Sequence, residues 1–149
     1  MTDWIFQGNG QRYDLDAALA ASRLHRWRTP RYRDRTAAGD PVWLQIVGRH
    51  NPGIYYLATI TTPTHEDTDW HDGAPASAYS RWWTDIRFDY RIDPPLLRAE
   101  LLATAELASF WPFRGFQGST VPVPPDVAER LRERAAPRLE PLGPGSESG

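Results

Sequence analysis

Two apolar segments joined by a turn constrain the fold of this chain most strongly. Residues 42–47 and 54–60 are rich in β-branched and aromatic side chains, which is typical of strands buried inside a sheet. Asn51-Pro52-Gly53 lies between them and is a turn signal. We therefore predict a β-hairpin in the core of the protein.

Other periodic segments flank this hairpin. Their alternation of side chains predicts strands at residues 3–7, 82–92 and 121–123. Apolar residues at helical spacing predict helices at about residues 15–23, 96–107 and 126–134. The irregular order of strands and helices predicts an α/β (α+β) fold with a strongly curved, mixed sheet that approaches a small barrel.

Polar and proline-containing segments predict two long loops. The first, at residues 25–39, is rich in arginine, and the second, at residues 63–78, is rich in Thr, His, Asp, Gly and Pro. Pro94-Pro95 is expected to end the strand at 82–92. A chain of 149 residues suits one domain. We expect that domain at residues 1–139, followed by a disordered tail at residues 140–149.

Composition excludes several classes of protein. The sequence has no cysteine, which rules out disulfides and thiolate metal sites. Its first residues lack the basic and apolar regions of a signal peptide. No apolar stretch approaches the ~20 residues that span a bilayer. We expect a soluble, cytoplasmic monomer that has no membrane partner.

Catalytic signatures are missing from the sequence. It contains no Gly-rich phosphate loop, no G-x-S-x-G motif and no pair of histidines at i, i+4 spacing. We therefore expect a protein that is not an enzyme and that needs no cofactor or metal. One alternative is a small metal-dependent hydrolase that uses the histidine and carboxylate side chains between His65 and Asp72.

Basic residues are unevenly distributed along the chain. All 17 are arginine, and six of them fall between Arg23 and Arg35, where Asp34 is the single acid. The net charge of −2 argues against bulk attraction to a polyanion, but a local cluster of guanidinium groups matches the phosphates of a nucleic-acid backbone. The candidate phosphate-binding residues are Arg26, Arg28, Arg31 and Arg33.

Tryptophan is the second informative residue type, with seven in the chain. Trp4 and Trp43 lie in predicted strands, where core packing explains them. Trp27 lies in the arginine-rich segment, where an indole can stack on a nucleic-acid base. Trp82 and Trp83 are neighbours in one predicted strand and must point to opposite faces, so they cannot both enter the same core unless the sheet is covered on both sides.

Six short motifs follow one another in a recognisable order. They are WIFQGN at residues 4–9, YDL at 13–15, RYRD at 31–34, GDPVWL at 39–44, PGIYYLATI at 52–60 and FRGFQGS at 113–119. Together they span roughly residues 3–134, and their order resembles that of the EVE domain, a family of the PUA-like superfamily. The resemblance implies a PUA-like fold, in which short helices pack around a curved, mixed sheet or pseudo-barrel.

The resemblance also implies a function. EVE domains are similar to YTH domains, which hold a methylated adenine in an aromatic cage. The pocket residues implied for this chain are Asn9, Trp27, Trp70, Trp82, Trp83 and Gln117. Trp27 matches one cage wall, Asn9 matches a position that reads a base edge, and Gln117 lies in the segment near the pocket mouth. The second wall is Trp70, Trp82 or Trp83.

The expected function is therefore recognition of a methylated or hydroxymethylated base in DNA or RNA. The expected partner is the modified nucleic acid, and any cleavage would come from a separate nuclease or other effector protein. Two alternatives stay open besides the metal-dependent hydrolase. One is an RNA-binding PUA-like domain without modification specificity, and the other is a binder of a small modified nucleoside.

Overall fold

The computed structural model describes the chain in the ranges 1–9, 17–19, 22–29, 31–48, 51–67, 81–110, 112–115 and 120–142. Seven strands lie in these ranges: β1 (Asp3–Asn9), β2 (Leu24–Arg28), β3 (Pro41–Val47), β4 (Gly53–Glu66), β5 (Trp82–Leu97), β6 (Thr120–Val123) and β7 (Leu139–Pro141). Four α-helices lie there too: α1 (Arg98–Ala103), α2 (Ala105–Ala108), α3 (Pro112–Gly115) and α4 (Pro125–Ala135). A 3-10 turn at Ala136–Arg138 joins α4 to β7.

All seven strands belong to one mixed sheet. Six follow the order β2-β5-β4-β3-β1-β6, and β7 pairs with β5. Only β1 and β3 run parallel among the described pairs. Trp27 in β2 donates its indole N–H to Gln7 O in β1, although three strands separate β2 from β1 in the sheet. The sheet therefore curves back on itself, and the predicted α+β class with a curved, mixed sheet is confirmed.

Hydrophobic side chains cover both faces of the sheet. The inner, concave face carries a cluster that includes Trp4, Phe6, Val42, Leu44, Tyr56, Ile86 and Phe88. The outer face carries a second cluster with the helices, which includes Ile5, Trp43, Ile54, Leu101, Phe113 and Leu131. Burial on both faces explains why β3 is apolar almost without interruption, with Val42 to Ile46 all buried. The predicted hairpin is confirmed as β3 and β4.

Two buried tryptophans tie β1 to β3. Trp4 Nε1 donates to Asp40 Oδ2 at 3.0 Å, and Trp43 Nε1 donates to Asp3 Oδ2 at 2.9 Å. All four residues are buried, with at most 5% of their surface exposed. Because a buried carboxylate or indole N–H without a partner is costly, these bonds fix the register of the two strands. The expected core role of both tryptophans is confirmed.

The segment at residues 25–39 is not a continuous loop, because it begins with β2. His25 and Trp27 point to the inner face, while Arg26 and Arg28 alternate with them and face outward beside β5. Arg26 lies directly opposite Asp85, an opposite-charge pair of the kind that stabilises neighbouring strands. This alternation is not recognisable from the sequence, because each arginine is expected to be solvent-exposed and the segment is predicted as a loop.

Both strands beside the second predicted loop are longer than predicted. β4 continues to Glu66, because its threonine-rich end pairs with the start of β5. β5 continues past the two prolines to Leu97. Tyr56 pairs with Arg91 and Ile54 with Leu96, so residues 92–95 bulge away from β4. Proline is tolerated in such a bulge because no ladder hydrogen bond is needed there.

The helices agree with the sequence in position more than in length. Residues 17–19 of the predicted first helix are helical, whereas Ser22 and Arg23 are not. The predicted helix at 96–107 is two short helices, separated by an extended Thr104. The final helix is confirmed as α4. No helix in the described ranges is long and apolar enough to cross a bilayer.

The described structure extends beyond the predicted domain boundary at residue 139. β7 pairs with β5 from Leu139 to Pro141, and Leu142 N donates to Asp89 O at 3.0 Å. Residues 140 and 141 therefore lie in β7, and residue 142 is hydrogen-bonded to β5. Residues 143–149 lie outside the described ranges.

Gly53, at the start of β4, gives a test of the hairpin geometry. A Cβ at this position would collide with Leu96 O and lie 2.8 Å from Leu97 Cα, both of which are backbone atoms that cannot turn aside. We expect Gly53→Ala to lower the free energy of unfolding by roughly 3 kcal/mol, the upper end of the range for overpacking. Urea denaturation measures this loss.

Gly39→Ala is the matched control. Gly39 has a φ of +93°, but a Cβ there would meet no atom within 4 Å. Its loss of stability should therefore be backbone strain alone, about 1–2 kcal/mol. An equal or smaller loss for Gly53→Ala than for Gly39→Ala would contradict the packing between β4 and the end of β5.

Candidate functional site

Trp27 lies where the curved sheet meets itself. Its Nε1 donates to Gln7 O at 3.2 Å, just past Phe6, the last β1 residue paired with β6. A Cβ on Gly8 would lie 3.2 Å from Trp27 Cζ2, so the missing side chain lets the indole approach β1. The ring is half-buried against the inner cluster. Because its one N–H is engaged by Gln7 O, the Trp27 indole has no further hydrogen-bond donor.

Trp82 lies on the same face of the sheet as Trp27. Trp27 pairs with Thr84, and Trp82 is two residues from Thr84 along β5, so the two tryptophans are diagonal neighbours. Thr29, beyond the end of β2, donates its backbone N–H to Trp82 O at 3.0 Å. Diagonal neighbours in antiparallel strands lie about 7–8 Å apart. Both tryptophans are half-buried.

Four threonine hydroxyls lie beside these tryptophans and bond to one another. Thr29, Thr64 and Thr84 form a triangle with O–O distances of 2.5, 2.7 and 3.3 Å, and Thr36 joins Thr64 at 2.8 Å. Thr29 and Thr84 are fully buried. Each hydroxyl has a single proton to donate, so these four contacts use all four donors. The cluster is a closed polar network, and it offers no donor to a ligand.

The other predicted residues of β2 and β5 lie on the outer face. Trp83 is 1% exposed, its Nε1 donates to Asp67 O at 3.1 Å, and the guanidinium of Arg28 lies 5.6 Å from its ring. Arg26 donates to Asp85 and to Asp67, at 2.7 Å each. These hydrogen bonds raise the pKa of Arg26, with the Asp85 bond as the largest cause. Trp83, Arg26 and Arg28 are thus turned away from Trp27 and are engaged within the protein.

Two exposed arginines lie beside Trp82. Arg33 lies 4.4 Å above the Trp82 ring and Arg81 lies 5.6 Å from it. Arg31, Arg33 and Arg81 are all exposed, and none has a carboxylate partner among the described residues. Arg81 was missed by the sequence analysis, although the run Arg81-Trp82-Trp83 was a signal for it. We call Trp27, Trp82, Arg33 and Arg81, together with the exposed Arg31 two residues before Arg33, the ring–arginine surface.

The remaining predicted pocket residues are only partly placed. Asn9 ends β1, pairs with Val47 and follows Gly8, so its backbone lies beside the residue that Trp27 contacts. Trp70 and Gln117 lie outside the described residues, as does the side chain of Asn9. The structure therefore brings together Trp27, Trp82 and the backbone of Asn9.

Two other features could have formed a site. Among the described residues, no three His, Asp or Glu side chains are grouped so as to hold a metal ion, and residues 68–72 of the predicted metal loop lie outside the described ranges. A cleft of about 560 Å³ lies at the start of α4. It is lined by Arg35, Arg132, prolines and the first three residues, and contains none of the predicted pocket residues.

The curved seven-stranded sheet with short helices on its outer face defines a PUA-like fold. The DUF55 domain of human thymocyte nuclear protein 1 aligns with a TM-score of 0.72 at 14% identity, over 89% of this chain and 98% of that one. A structure of human THYN1 in complex with DNA that contains 5-methylcytosine aligns with a TM-score of 0.68 at 13% identity, over 91% and 98%.

A third solved structure is also similar to this chain. A hypothetical protein from Leishmania major aligns with a TM-score of 0.73 at 19% identity, over 92% of this chain and 96% of that one. No protein-family model matches the sequence, and no curated protein matches it significantly. At these identities the similarities establish the fold.

His25 gives a pH test of the inner face behind Trp27. Its ring packs edge-on against Phe88 at 5.3 Å, and its Nε2 lies 2.7 Å from Ser22 O. Burial lowers the pKa of His25 from its ordinary value, and the bond with Ser22 offsets this in part. The unfolded chain therefore binds the proton more readily than the folded protein, and stability should fall as the pH drops through about 6.5.

Urea denaturation at about pH 7.5 and about pH 5.5 measures this effect. His25→Gln is the control, because glutamine can still donate to Ser22 O but does not titrate. We expect the wild-type protein to lose more stability than the variant on acidification. An identical loss in both would show that His25 is not buried as a neutral ring.

Proposed function

We propose that this protein is a nucleic-acid-binding module that recognises a modified base, and that it is not an enzyme. The ring–arginine surface is the observation that supports this proposal. It combines two half-buried tryptophans on one face of the sheet with exposed arginines that have no carboxylate partner among the described residues. Ring faces bind bases and guanidinium groups bind phosphates, so one surface holds both halves of a nucleotide.

The geometry of Trp27 favours recognition by stacking. Its indole N–H is held by Gln7 O, so the ring is fixed in place while the residue stays partly exposed. A methyl group on a base adds an apolar surface that stabilises such a contact by about 0.8 kcal/mol when buried. Trp82 is proposed as the second wall, because it shares a face with Trp27 whereas Trp83 does not.

The phosphate-binding residues in this proposal differ from those of the sequence pattern. Arg31 and Arg33 stay, and Arg81 joins them, because all three are exposed and have no carboxylate partner among the described residues. Arg26 is set aside, since binding a phosphate would require breaking its contacts with Asp85 and Asp67. Asn9 is proposed to read the base edge, because its backbone adjoins the Trp27 contact.

A structural neighbour supports the choice of ligand. Human THYN1, which shares this fold, was solved with DNA that contains 5-methylcytosine. We therefore propose 5-methylcytosine as the first modified base to test. Binding that is independent of the modification is the second candidate, and it is favoured by the number of exposed arginines. The two differ in which side chain controls affinity.

Trp27 should control the preference for the modified base. We expect wild-type protein to bind a short oligonucleotide with 5-methylcytosine more tightly than the unmodified strand, and Trp27→Leu to abolish this preference. Trp27→Phe should keep part of it, because phenylalanine retains an aromatic face. Fluorescence anisotropy with a labelled oligonucleotide measures both affinities.

Tyr90→Leu is the control, since Tyr90 is another half-buried aromatic residue but pairs with Leu57 of β4 and Pro141 of β7, and not with β2. It should bind like wild type. A modification preference that survives Trp27→Leu in a folded protein would refute the Trp27 pocket. Equal binding of both strands by wild type would leave the second candidate.

The exposed arginines should control the salt dependence of binding. We expect Arg31→Gln and Arg33→Gln each to lower the slope of log K against log[salt] by about 0.7 for a single strand or about 0.9 for a duplex. The matched control is Arg130→Gln on α4, whose guanidinium is also exposed but pairs with Glu133 at 2.9 Å. A slope unchanged in Arg31→Gln and Arg33→Gln would place the phosphates elsewhere.

A further inference from the structure

Tyr32 has an unusual backbone for its residue type. Its φ of 58° lies in the left-handed region, and no other non-glycine residue in the described ranges has a positive φ. This conformation is unfavourable for a residue with a large side chain, and glycine or asparagine would fit it better. Strained residues of this kind concentrate at binding sites. The turn alone therefore does not explain why this position is a tyrosine.

Core packing explains one face of the Tyr32 ring. The ring lies 6.0 Å from the fully buried Trp4 ring, at an angle of 55°. Tyr32 is nevertheless 38% exposed, among the few large hydrophobic residues that are exposed in the described part of the chain. The guanidinium of Arg35 lies 5.4 Å from the ring. An exposed ring with a stacked arginine repeats the arrangement of Trp82 with Arg33.

Arg35 connects Tyr32 with the cleft at the start of α4. Arg35 lines this cleft of about 560 Å³ together with Pro122, Pro124 and Pro125. Asp3 also lines it, but its carboxylate accepts from Arg132 at 2.5 and 2.6 Å and from Trp43 at 2.9 Å. Arg132 is thus paired with Asp3, whereas Arg35 has no carboxylate partner among the described residues.

We infer that Tyr32, Arg35 and the cleft form a second nucleotide subsite, next to the ring–arginine surface. A base stacks on the exposed face of Tyr32, its phosphate binds Arg35, and the proline-lined cleft takes the adjoining apolar surface of the nucleotide. Tyr32 and Arg33 are consecutive in the sequence, so the subsite adjoins the ring–arginine surface. One nucleic-acid strand contacts both. This inference rests on the proposed function and extends it to the flanking nucleotide.

The subsite implies a single-stranded ligand. A base inside a duplex is stacked on its neighbours and cannot also lie flat on Tyr32 without leaving the stack, which costs a few kcal/mol. An unpaired strand meets no such cost, and aromatic rings next to cations are the usual surface for binding it. We therefore expect tighter binding of a single strand than of the duplex with the same sequence.

Tyr32→Gly and Arg35→Gln test the subsite by anisotropy with modified and unmodified single strands. Glycine adopts a positive φ freely, and Arg35 is exposed, so at least one variant keeps the native fold. Each variant should bind single strands about fivefold or more weakly, because stacking and phosphate contacts of this size are lost. The ratio of modified to unmodified affinity should stay as in wild type. Tyr32→Phe, which keeps the ring, should bind like wild type.

Three results would overturn the inference. Wild-type affinity in both Tyr32→Gly and Arg35→Gln would show that Tyr32 serves only to cover Trp4. If the duplex binds as tightly as the single strand, the ligand does not need an unpaired nucleotide at Tyr32, and the inference fails. In both cases a preference that depends on Trp27 would leave the proposed function standing. If wild-type protein binds no oligonucleotide at all, the proposed function fails together with the subsite.

Discussion

The contact between Trp27 and β1 is the interaction on which the shape of the sheet depends. Three strands separate β2 from β1 in the sheet, yet the Trp27 indole bonds to Gln7 O and packs where Gly8 has no side chain. A flat sheet would hold these strands well apart, since neighbouring strands are about 4.8 Å apart. The curvature that joins them encloses the inner cluster, and Trp82 lies on the same face as Trp27 because β2 pairs with β5. The candidate site is thus a product of how the sheet meets itself.

Arginines with and without a carboxylate partner lie in different parts of the described fold. Most arginines of the described strands and helices are paired, such as Arg26 with Asp85, Arg87 with Asp89 and Arg138 with Glu100. Arg33 and Arg81, which have no carboxylate partner among the described residues, both lie beside Trp82. A net charge of −2 therefore coexists with a locally basic surface. Local charge, and not the total, decides where a polyanion can bind.

The sequence predicted the elements whose side chains follow a simple period. β3, β4 and α4 were found because their apolar residues recur at strand or helix spacing. β2 was missed because its outward positions are arginines that are held by β5, a tertiary contact that no local pattern contains. The pairing of β2 with β5 also determines which of two neighbouring tryptophans belongs to the candidate site. Sequence could propose Trp82 and Trp83 equally, and only the pairing with β2 shows that Trp82 shares a face with Trp27.

The closed threonine network limits what the site can recognise. Thr29, Thr64 and Thr84 lie beside the tryptophans, but their protons are used within the network, and Thr64 N also donates to Thr36 Oγ1. The Trp27 N–H is likewise held by Gln7 O. Among the described groups, the proposed binding therefore relies on ring faces and guanidinium groups, which bind any base and any phosphate. Selectivity for one base has to be supplied by fit between the rings and by a single polar reader, the role proposed for Asn9.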